Sequence, residues 1–292
     1  MKKFRLLFTL FILVLLVCGC TENIAPTQIA TTTLPIYAFT SALCEGTEIT
    51  ITRLVNEEVS CLHDYSLQTR QMRAIEGSEV LIISGGGLEA FLDDTLNSTN
   101  TIIDASATIA LHCGDDHEDH HHDGHSHEND PHIWLSPENA KIMVHNICHG
   151  LIDQYPQHEA IFLKNEKSLT KKLDTLQLYG QEQLKDLSCR KLVTFHDGFA
   201  YLAEAFDLSI LKAVEEESGS EASAAELIEI IRLVDQNQLP AIFTERSGSV
   251  SAAQIISAET GAKVYQLDMA MSGESYFDAM YHNIDTLKEA LG

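Results

Sequence analysis

Eight of the fourteen histidines of this chain lie between Leu111 and His132. They are His112, His117, His120, His121, His122, His125, His127 and His132, and acidic residues are interspersed among them. Neutral imidazole is a common ligand for zinc, copper and nickel, and carboxylates add negative charge and oxygen donors. The segment has too few apolar residues to form a core. It therefore predicts a solvated loop, residues 112–129, in which the histidines from His112 to His127 bind zinc weakly as auxiliary ligands. A spacer without a metal role is the alternative.

Three histidines and one aspartate occur close to the predicted ends of strands or to the end of the histidine-rich loop. They are His63, His132, His196 and Asp268. Ligands of parallel α/β sheets collect outside the carboxyl ends of the strands. Three imidazoles and a carboxylate suit tetrahedral zinc, with Asp268 or a water molecule as the fourth ligand. A single histidine in such a place would more often be an ordinary surface or core residue, but three of them predict one shared metal site.

The elements that must position these residues alternate between short β-rich runs and helical runs. Such alternation predicts parallel sheets covered by helices on both faces. The stretch from His158 to Leu187 has one glycine and no proline, and a helix of about 30 residues would be about 45 Å long. Its leucines keep no sustained heptad, which disfavours a dimeric coiled coil. The predicted fold class is α/β, with two lobes that each contain a parallel sheet flanked by helices and are joined by a long rigid helix. The predicted boundaries are 28–154 for the N-terminal lobe, 155–188 for the linking helix and 189–292 for the C-terminal lobe.

Two local patterns in the first half predict helices. Ser136 and Pro137 are typical of a helix start, with the serine as the cap and the proline in the first turn. Leu88 to Leu96 is predicted to be helical after a buried strand at Val80–Ile83 and three consecutive glycines.

The N-terminus has the features of an export signal. Three basic residues precede an apolar run from Leu6 to Val17, which is too short to span a bilayer comfortably. The run ends in Cys18-Gly19-Cys20, and a small residue directly before Cys20 resembles a bacterial lipobox. This predicts a signal peptide over 1–19, a diacylated Cys20 and a polar tether over 20–27, with the protein exported and lipid-anchored to the outer face of the cytoplasmic membrane. A plain secretory signal is the alternative.

The net charge indicates which kinds of partner the chain can bind, and the cysteine count limits its disulfides. The formal net charge of −24 argues against nucleic acid as a partner and favours cations. Five cysteines remain beyond Cys18 and Cys20, and an odd number cannot pair completely within one chain. Cys44 and Cys61 bracket one predicted strand, and an exported setting permits a disulfide between them.

Residues 117–121 match the metalloprotease pattern H-E-x-x-H, which makes an enzyme an alternative. That pattern requires a helix that presents both histidines on one face and the glutamate as the base. Here Gly114 and Gly124 bracket the pattern, and the flanks offer no apolar face on which a helix could pack. The sequence therefore predicts a binding protein and not an enzyme.

Several segments in order resemble the cluster A-I solute-binding proteins of ABC transporters, the zinc and manganese receptors of the ZnuA/TroA type. They are Leu62-His63-Asp64-Tyr65, the stretch Val80–Leu92, Asp130-Pro131-His132-Ile133-Trp134-Leu135, Phe195-His196-Asp197-Gly198-Phe199-Ala200-Tyr201-Leu202, Ile242-Phe243-Thr244-Glu245 and Gly261–Asp268. The resemblance extends over essentially the whole chain that follows the signal peptide.

This resemblance implies two lobes joined by a rigid helix, with a metal ion bound between them and passed to a membrane permease driven by a cytosolic ATPase. It carries the family's ligands onto His63, His132, His196 and Asp268. A histidine in the third of these positions is typical of the zinc receptors, whereas manganese receptors usually have glutamate there, so Zn²⁺ is the expected ligand. Lipid attachment and a monomeric state are expected as well.

The chain departs from the family pattern at two places. Met269 follows Asp268 where the family often has proline, and Leu62 precedes His63 where the family usually has Asp-Pro. Glu245 is the reserve carboxylate for the site. Two other functions stay open: a manganese or iron receptor of the same family, and a surface zinc buffer or adhesin without a transport role.

Overall fold

The structure, a computed structural model, describes residues 27–56, 62, 65–92, 101–112, 129–214, 223–246 and 249–292. Several predictions fall on residues outside these ranges, namely on Cys20, Cys61, His63, His117, His120, His121, His122, His125 and His127. They stay predictions. Within the described ranges, none of the helices combines the length and the apolar character that a bilayer span requires.

The first lobe is built on a sheet of four parallel strands. Its elements are β1 (Ile29–Thr31), α1 (Leu34–Leu43), β2 (Ile51–Arg53), α2 (Thr69–Glu76), β3 (Val80–Ile83) and β4 (Thr101–Asp104). The strands are arranged in the order β2-β1-β3-β4. Because successive residues of a strand point to opposite faces, Ile29 and Ile82 enter the large core with α1, and Ala30 and Leu81 enter a smaller core with Ile75 of α2. Both faces are therefore covered, as the alternation predicted.

The next helix, α3 (Pro137–Gln154), begins as its sequence predicted. Pro137 occupies the first turn, where its missing N–H costs no hydrogen bond. The Ser136 hydroxyl oxygen accepts a hydrogen bond from the backbone N–H of Asn139 at 3.4 Å. This cap fixes where the chain leaves the segment that contains His132.

A long helix, α4 (Glu159–Leu184), joins the two halves. It has 26 residues and is therefore about 39 Å long. It is shorter than the predicted segment because Pro156 starts a separate 3₁₀ turn, Pro156–His158, ahead of it. α4 packs on α1 and α3 on one side and on the C-terminal helix, Tyr276–Leu291, on the other, so it contacts both lobes.

The second lobe repeats the parallel arrangement. Its elements are β5 (Lys191–Thr194), α5 (Ala200–Ala205), β6 (Ser209–Ala213), α6 (Ala224–Asn237), β7 (Ala241–Glu245), α7 (Ser251–Thr260), β8 (Lys263–Leu267) and α8 (Tyr276–Leu291). The strands lie in the order β6-β5-β7-β8. Since all are parallel, the carboxyl ends of β5, β7 and β8 reach the same edge of the sheet.

The prediction of a helix over Leu88–Leu96 is wrong in its described part. Only a 3₁₀ turn, Ala90–Leu92, is present there. Three glycines ahead of it have φ values of +80°, +68° and +95°, in the left-handed region. The Glu89 carboxylate accepts hydrogen bonds from the backbone N–H groups of Ser84 and Gly85 at 2.7 and 3.0 Å, so it closes this loop.

One half of the predicted disulfide, Cys44, is buried, and burial raises the pKa of its thiol to about 12. Its predicted partner, Cys61, lies outside the described residues, so the disulfide stays a prediction. Cys44 ends α1 with its side chain in the apolar core, where it packs as a small hydrophobic residue.

Candidate metal centre

His132 and His196 meet between the two lobes. Their Nε2 atoms are 3.4 Å apart, and their ring planes are inclined at 83° with centroids 5.1 Å apart. Two nitrogen ligands of one tetrahedral zinc ion, each bonded at about 2.0–2.1 Å, would be about 3.3–3.4 Å apart. The two imidazoles therefore have the spacing of a pair of ligands to one small cation.

Each imidazole is held from behind by its own carboxylate. Asp130 Oδ1 lies 2.7 Å from Nδ1 of His132 and also accepts the backbone N–H of that residue at 2.9 Å. Glu245 Oε1 lies 2.7 Å from Nδ1 of His196. An ionised carboxylate only accepts hydrogen bonds, so each Nδ1 carries the proton and each Nε2 presents its lone pair. Both lone pairs are then available to the same ion.

Burial makes this arrangement rigid. The side chains of His132 and His196 are 3% and 18% exposed, and that of Glu245 is 5% exposed. Buried rings with a fixed hydrogen-bond partner lose little further freedom when they bind an ion. The pair is accordingly preorganised.

The second lobe positions its part through adjacent strands. His196 lies two residues beyond the end of β5, and Glu245 is the last residue of β7. The two strands are paired neighbours, with Thr194 opposite Phe243. His196 and Glu245 therefore lie side by side at the carboxyl ends of neighbouring strands.

His132 is positioned differently, because it directly precedes a short 3₁₀ turn. In this turn, Ile133–Leu135, Trp134 is fully buried. The Trp134 indole N–H donates to the Met269 carbonyl at 2.7 Å, and the Tyr276 hydroxyl donates to the Trp134 carbonyl at 2.8 Å. Both contacts tie this segment to the second lobe, so His132 is fixed against the lobe that carries His196.

Gly198 leaves the room that the two rings occupy. A Cβ atom at this position would lie 2.6 Å from Cδ2 of His196, 2.7 Å from Cε of Met269 and 2.9 Å from Cε1 of His132. Cβ atoms in proteins essentially never come this close to other heavy atoms. With any other residue here, at least one imidazole or the local backbone must therefore shift.

Asp268 lies at the expected strand end but is engaged elsewhere. It directly follows β8, and its Oδ2 pairs with Nη1 of Arg246 at 3.1 Å while its Oδ1 accepts the Ala270 N–H at 2.8 Å. The Asn283 side chain binds both its backbone N–H and its carbonyl at 2.7 Å. Within the described residues, Asp268 does not join the two histidines in a group whose ligand atoms all lie within 4.8 Å of one another.

The structure thus brings together two of the four predicted ligands, His132 and His196. Glu245, predicted as a reserve ligand, binds Nδ1 of His196 instead. Asp130 and Gly198 were missed by the sequence reasoning as site residues. Asp130 had a visible signal, because an aspartate two residues before a histidine can reach its backbone N–H and its ring together.

His112, the one described histidine of the predicted weak ligands, is the first residue of the segment predicted to be a histidine-rich loop. Its ring stacks on Tyr201 with centroids 4.2 Å apart, and its Nε2 is 2.9 Å from Oε2 of Glu204. The Tyr201 hydroxyl in turn donates to the Asp130 carbonyl at 3.1 Å. Tyr201 therefore contacts both His112 and the segment that supports His132.

A buried carboxyl supports the first lobe's side of the centre. Glu89 is 4% exposed, and burial raises its pKa to about 7, although hydrogen bonds from the Thr32 hydroxyl and from the backbone of Ser84 and Gly85 act in the opposite direction. The loop that it closes contains Gly86, where a Cβ atom would lie 3.5 Å from the Cα of Pro131. The loop thus packs directly behind the residue that precedes His132.

Comparison with known proteins defines the class. Residues 29–290 match the family model described as the periplasmic component A of the zinc-uptake complex, ZnuA. The chain therefore belongs to this family, the zinc-type substrate-binding proteins of ABC transporters, and the resemblance seen in its motifs is confirmed.

Individual relatives agree with this assignment. A putative metal-binding protein of Treponema pallidum is 27% identical over 277 residues, which cover 88% of this chain and 87% of that protein. The zinc-binding lipoprotein AdcA of Streptococcus pneumoniae is 29% identical, and the match covers 99% of this chain but 61% of AdcA. This chain thus spans about three fifths of that longer relative.

Solved structures share the fold. A crystal structure of ZnuA superposes with a TM-score of 0.78 at 25% identity, covering 91% of this chain and all of that one. The Zn(II)-bound AdcA of Streptococcus pneumoniae superposes with a TM-score of 0.76 at 27% identity, covering 91% of this chain and 58% of that one. The predicted fold of two helix-flanked parallel sheets with a long helix is confirmed.

Proposed function

We propose that this protein is the extracytoplasmic receptor of a zinc ABC transporter, which captures Zn²⁺ between its lobes and delivers it to a membrane permease driven by an ATPase. The observation that carries the proposal is the pair of Nε2 atoms 3.4 Å apart, each imidazole backed by a carboxylate. Membership of a family of zinc-uptake components supports it independently.

The proposed ligand set is His63, His132 and His196, with Asp268 completing or flanking the shell. Asp268 can turn towards the ion only if its Oδ2 leaves Arg246, whose side chain is 69% exposed and free to move into solvent. Glu245 and Asp130 serve as outer partners that orient the rings.

The donor set favours zinc over the manganese alternative. Imidazole nitrogen suits Zn²⁺, whereas Mn²⁺ prefers carboxylate, carbonyl and water oxygens. The two facing atoms of His132 and His196 are Nε2 nitrogens. The carboxylates of Asp130 and Glu245 contact the Nδ1 atoms and not the position between the rings. The name of the AdcA relative as a zinc-binding lipoprotein agrees with this choice.

The remaining parts of the chain fit a receptor at the membrane surface. Cys20 would carry the lipid anchor, and 20–27 would be the tether that holds a monomer near its permease. The loop 112–129 would collect zinc weakly beside the centre, since His112, its first residue, lies next to the segment that supports His132. Flexible ligands lose entropy on binding, so such a loop gathers metal without retaining it.

Uptake of radioactive zinc by cells that lack their own copy of this protein tests the proposal. The parent chain should restore uptake at low zinc, and His196→Ala should not, because it removes one of the two facing nitrogens. His282→Ala, an exposed histidine on α8, is the matched control and should restore uptake fully. Full uptake with His196→Ala, at equal protein levels, would refute the proposed site.

A further inference from the structure

A second group of possible metal ligands lies on the surface of the first lobe, where α3 packs on α4. It consists of His145 and His149 on α3 and Glu166 on α4, and their ligand atoms all lie within 4.8 Å of one another. Within the described part of the chain, it is the one group of three such residues with this spacing. It shares no residue with the cleft centre, which consists of His132, His196 and their carboxylates Asp130 and Glu245.

The local geometry is that of a chelating pair. Residues four apart in a helix lie on the same face, one turn above the other. The rings of His145 and His149 accordingly have centroids 4.2 Å apart. Two histidines in this relation on one helix can bind the same zinc ion, as they do in helical zinc motifs.

The neighbouring helix supplies the third donor. Glu166 Oε1 lies 2.9 Å from Nδ1 of His145, and the Glu166 side chain is 18% exposed. Glu166 therefore places a carboxylate oxygen beside His145 at the junction of the two helices.

The lysine one turn before His145 on α3 pairs with other carboxylates. Lys141 forms its ion pairs with Glu138 and Asp174. These pairs leave the Glu166 carboxylate to the imidazole of His145.

We propose that His145, His149 and Glu166 form a second, exchangeable binding site for a divalent transition-metal cation of the zinc, nickel and copper group. Two nitrogens and one carboxylate oxygen suit these ions. The rest of the coordination shell is water, because His145 and His149 are exposed. Since the ion would join α3 to α4, its binding would also strengthen the contact between these two helices.

Residue-resolved carbethoxylation of histidines by diethyl pyrocarbonate, read by mass spectrometry with Zn²⁺ as the probe, tests this site in the full-length chain. It separates His145 and His149 from the loop histidines, which bulk titrations cannot do. At one equivalent of zinc, both residues should stay reactive. At a free zinc concentration about ten times the dissociation constant of the site, their reactivity should fall together by roughly tenfold, while that of exposed His282 stays unchanged.

The variant His149→Ala makes the test specific. It replaces an exposed residue within α3 by a strong helix former, so the fold should be kept. In this variant, the zinc protection of His145 should drop to less than about twofold, because one chelating partner is missing. The proposal is overturned if zinc leaves His145 and His149 as reactive as His282, or if His145 stays fully protected in His149→Ala.

Discussion

The cleft centre and the surface group (His145, His149 and Glu166) contain the same types of side chain but differ in burial. Each has two imidazoles supported by carboxylate. In the cleft, the rings come from opposite sides, have separate carboxylates and have side chains 3% and 18% exposed. On the surface, one carboxylate, that of Glu166, lies beside the ring of His145, whose side chain is 59% exposed.

This difference predicts a difference in affinity. Buried rings that are already oriented pay little ordering entropy when an ion binds, whereas exposed side chains must be fixed at that moment. The cleft pair also lies at the spacing of zinc ligands, while the surface ligands are only within 4.8 Å of one another. We therefore expect the same residue types to retain zinc in the cleft and to exchange it on the surface.

Loss of one cleft histidine should have the largest effect. His196→Ala or His132→Ala should weaken the tightest zinc binding by more than about 100-fold, which exceeds the usual effect of removing an outer partner. Competition titration with a chromophoric chelator measures this. His145→Ala should leave the tightest binding unchanged, and an equal loss in that variant would break the distinction between the two sites.

Gly198→Ala tests whether the close approach of the two rings matters. Its Cβ would meet both imidazoles and Met269, so one ring must move or the backbone must shift. Zinc affinity should fall by about 10- to 100-fold, and the free energy of unfolding should fall by about 1–3 kcal/mol. The same titration and urea unfolding measure the two effects.

The control for Gly198→Ala is measured in the same variant, at a residue of the surface group. Reactivity of His145 towards diethyl pyrocarbonate should be unchanged, since the surface group is remote from the new Cβ. Unchanged zinc affinity in Gly198→Ala would show that the ring spacing seen here does not determine binding.

Glu245→Gln tests the carboxylate behind His196. The amide keeps the size of the side chain but loses the negative charge that favours the Nδ1 proton. Zinc affinity should fall by about 10- to 100-fold, less than for loss of the ring. Glu204→Gln, which alters an exposed carboxylate beside His112, is the control and should leave the tight site intact.

A further prediction concerns protein stability and not zinc affinity, and it rests on Glu89, which closes the loop behind Pro131. Burial raises its folded-state pKa from 4.5 to about 7. Between these values the folded protein binds a proton that the unfolded chain has lost. The free energy of unfolding should therefore fall as pH rises through this window, by up to about 1.4 kcal/mol per pH unit.

Urea unfolding of the parent and of Glu89→Gln from pH 4.5 to 8 measures this contribution, because glutamine does not titrate. The stability of the parent relative to the variant should decrease as pH rises through the window. Parallel curves for the two proteins would mean that Glu89 does not titrate with folding.

On the second lobe, the sequence predicted which candidate residues lie at the ends of strands. His196, Glu245 and Asp268 end or follow the predicted strands of a parallel sheet, and such strands bring their carboxyl ends to one edge. It did not predict that Glu245 would bind Nδ1 of His196, because this depends on the register of β5 against β7. Distances of this kind arise from tertiary packing.

The first lobe's side and the surface group were harder to predict. His132 is fixed by contacts of Trp134 with Met269 and Tyr276, which lie more than 130 positions away in the chain. The spacing of His145 and His149 is visible in the sequence and was overlooked beside the histidine-rich loop. Their partner Glu166 could not be found without knowing how α3 packs on α4.

Anomalous diffraction at the zinc absorption edge, on crystals of the chain with one equivalent of zinc, tests the central claim most directly. We predict one strong peak about 2.0–2.1 Å from the Nε2 atoms of both His132 and His196. Further peaks at His145, His149 and Glu166 should appear only with excess zinc. A first equivalent bound at the surface group, or at any place that excludes both cleft imidazoles, would contradict the account.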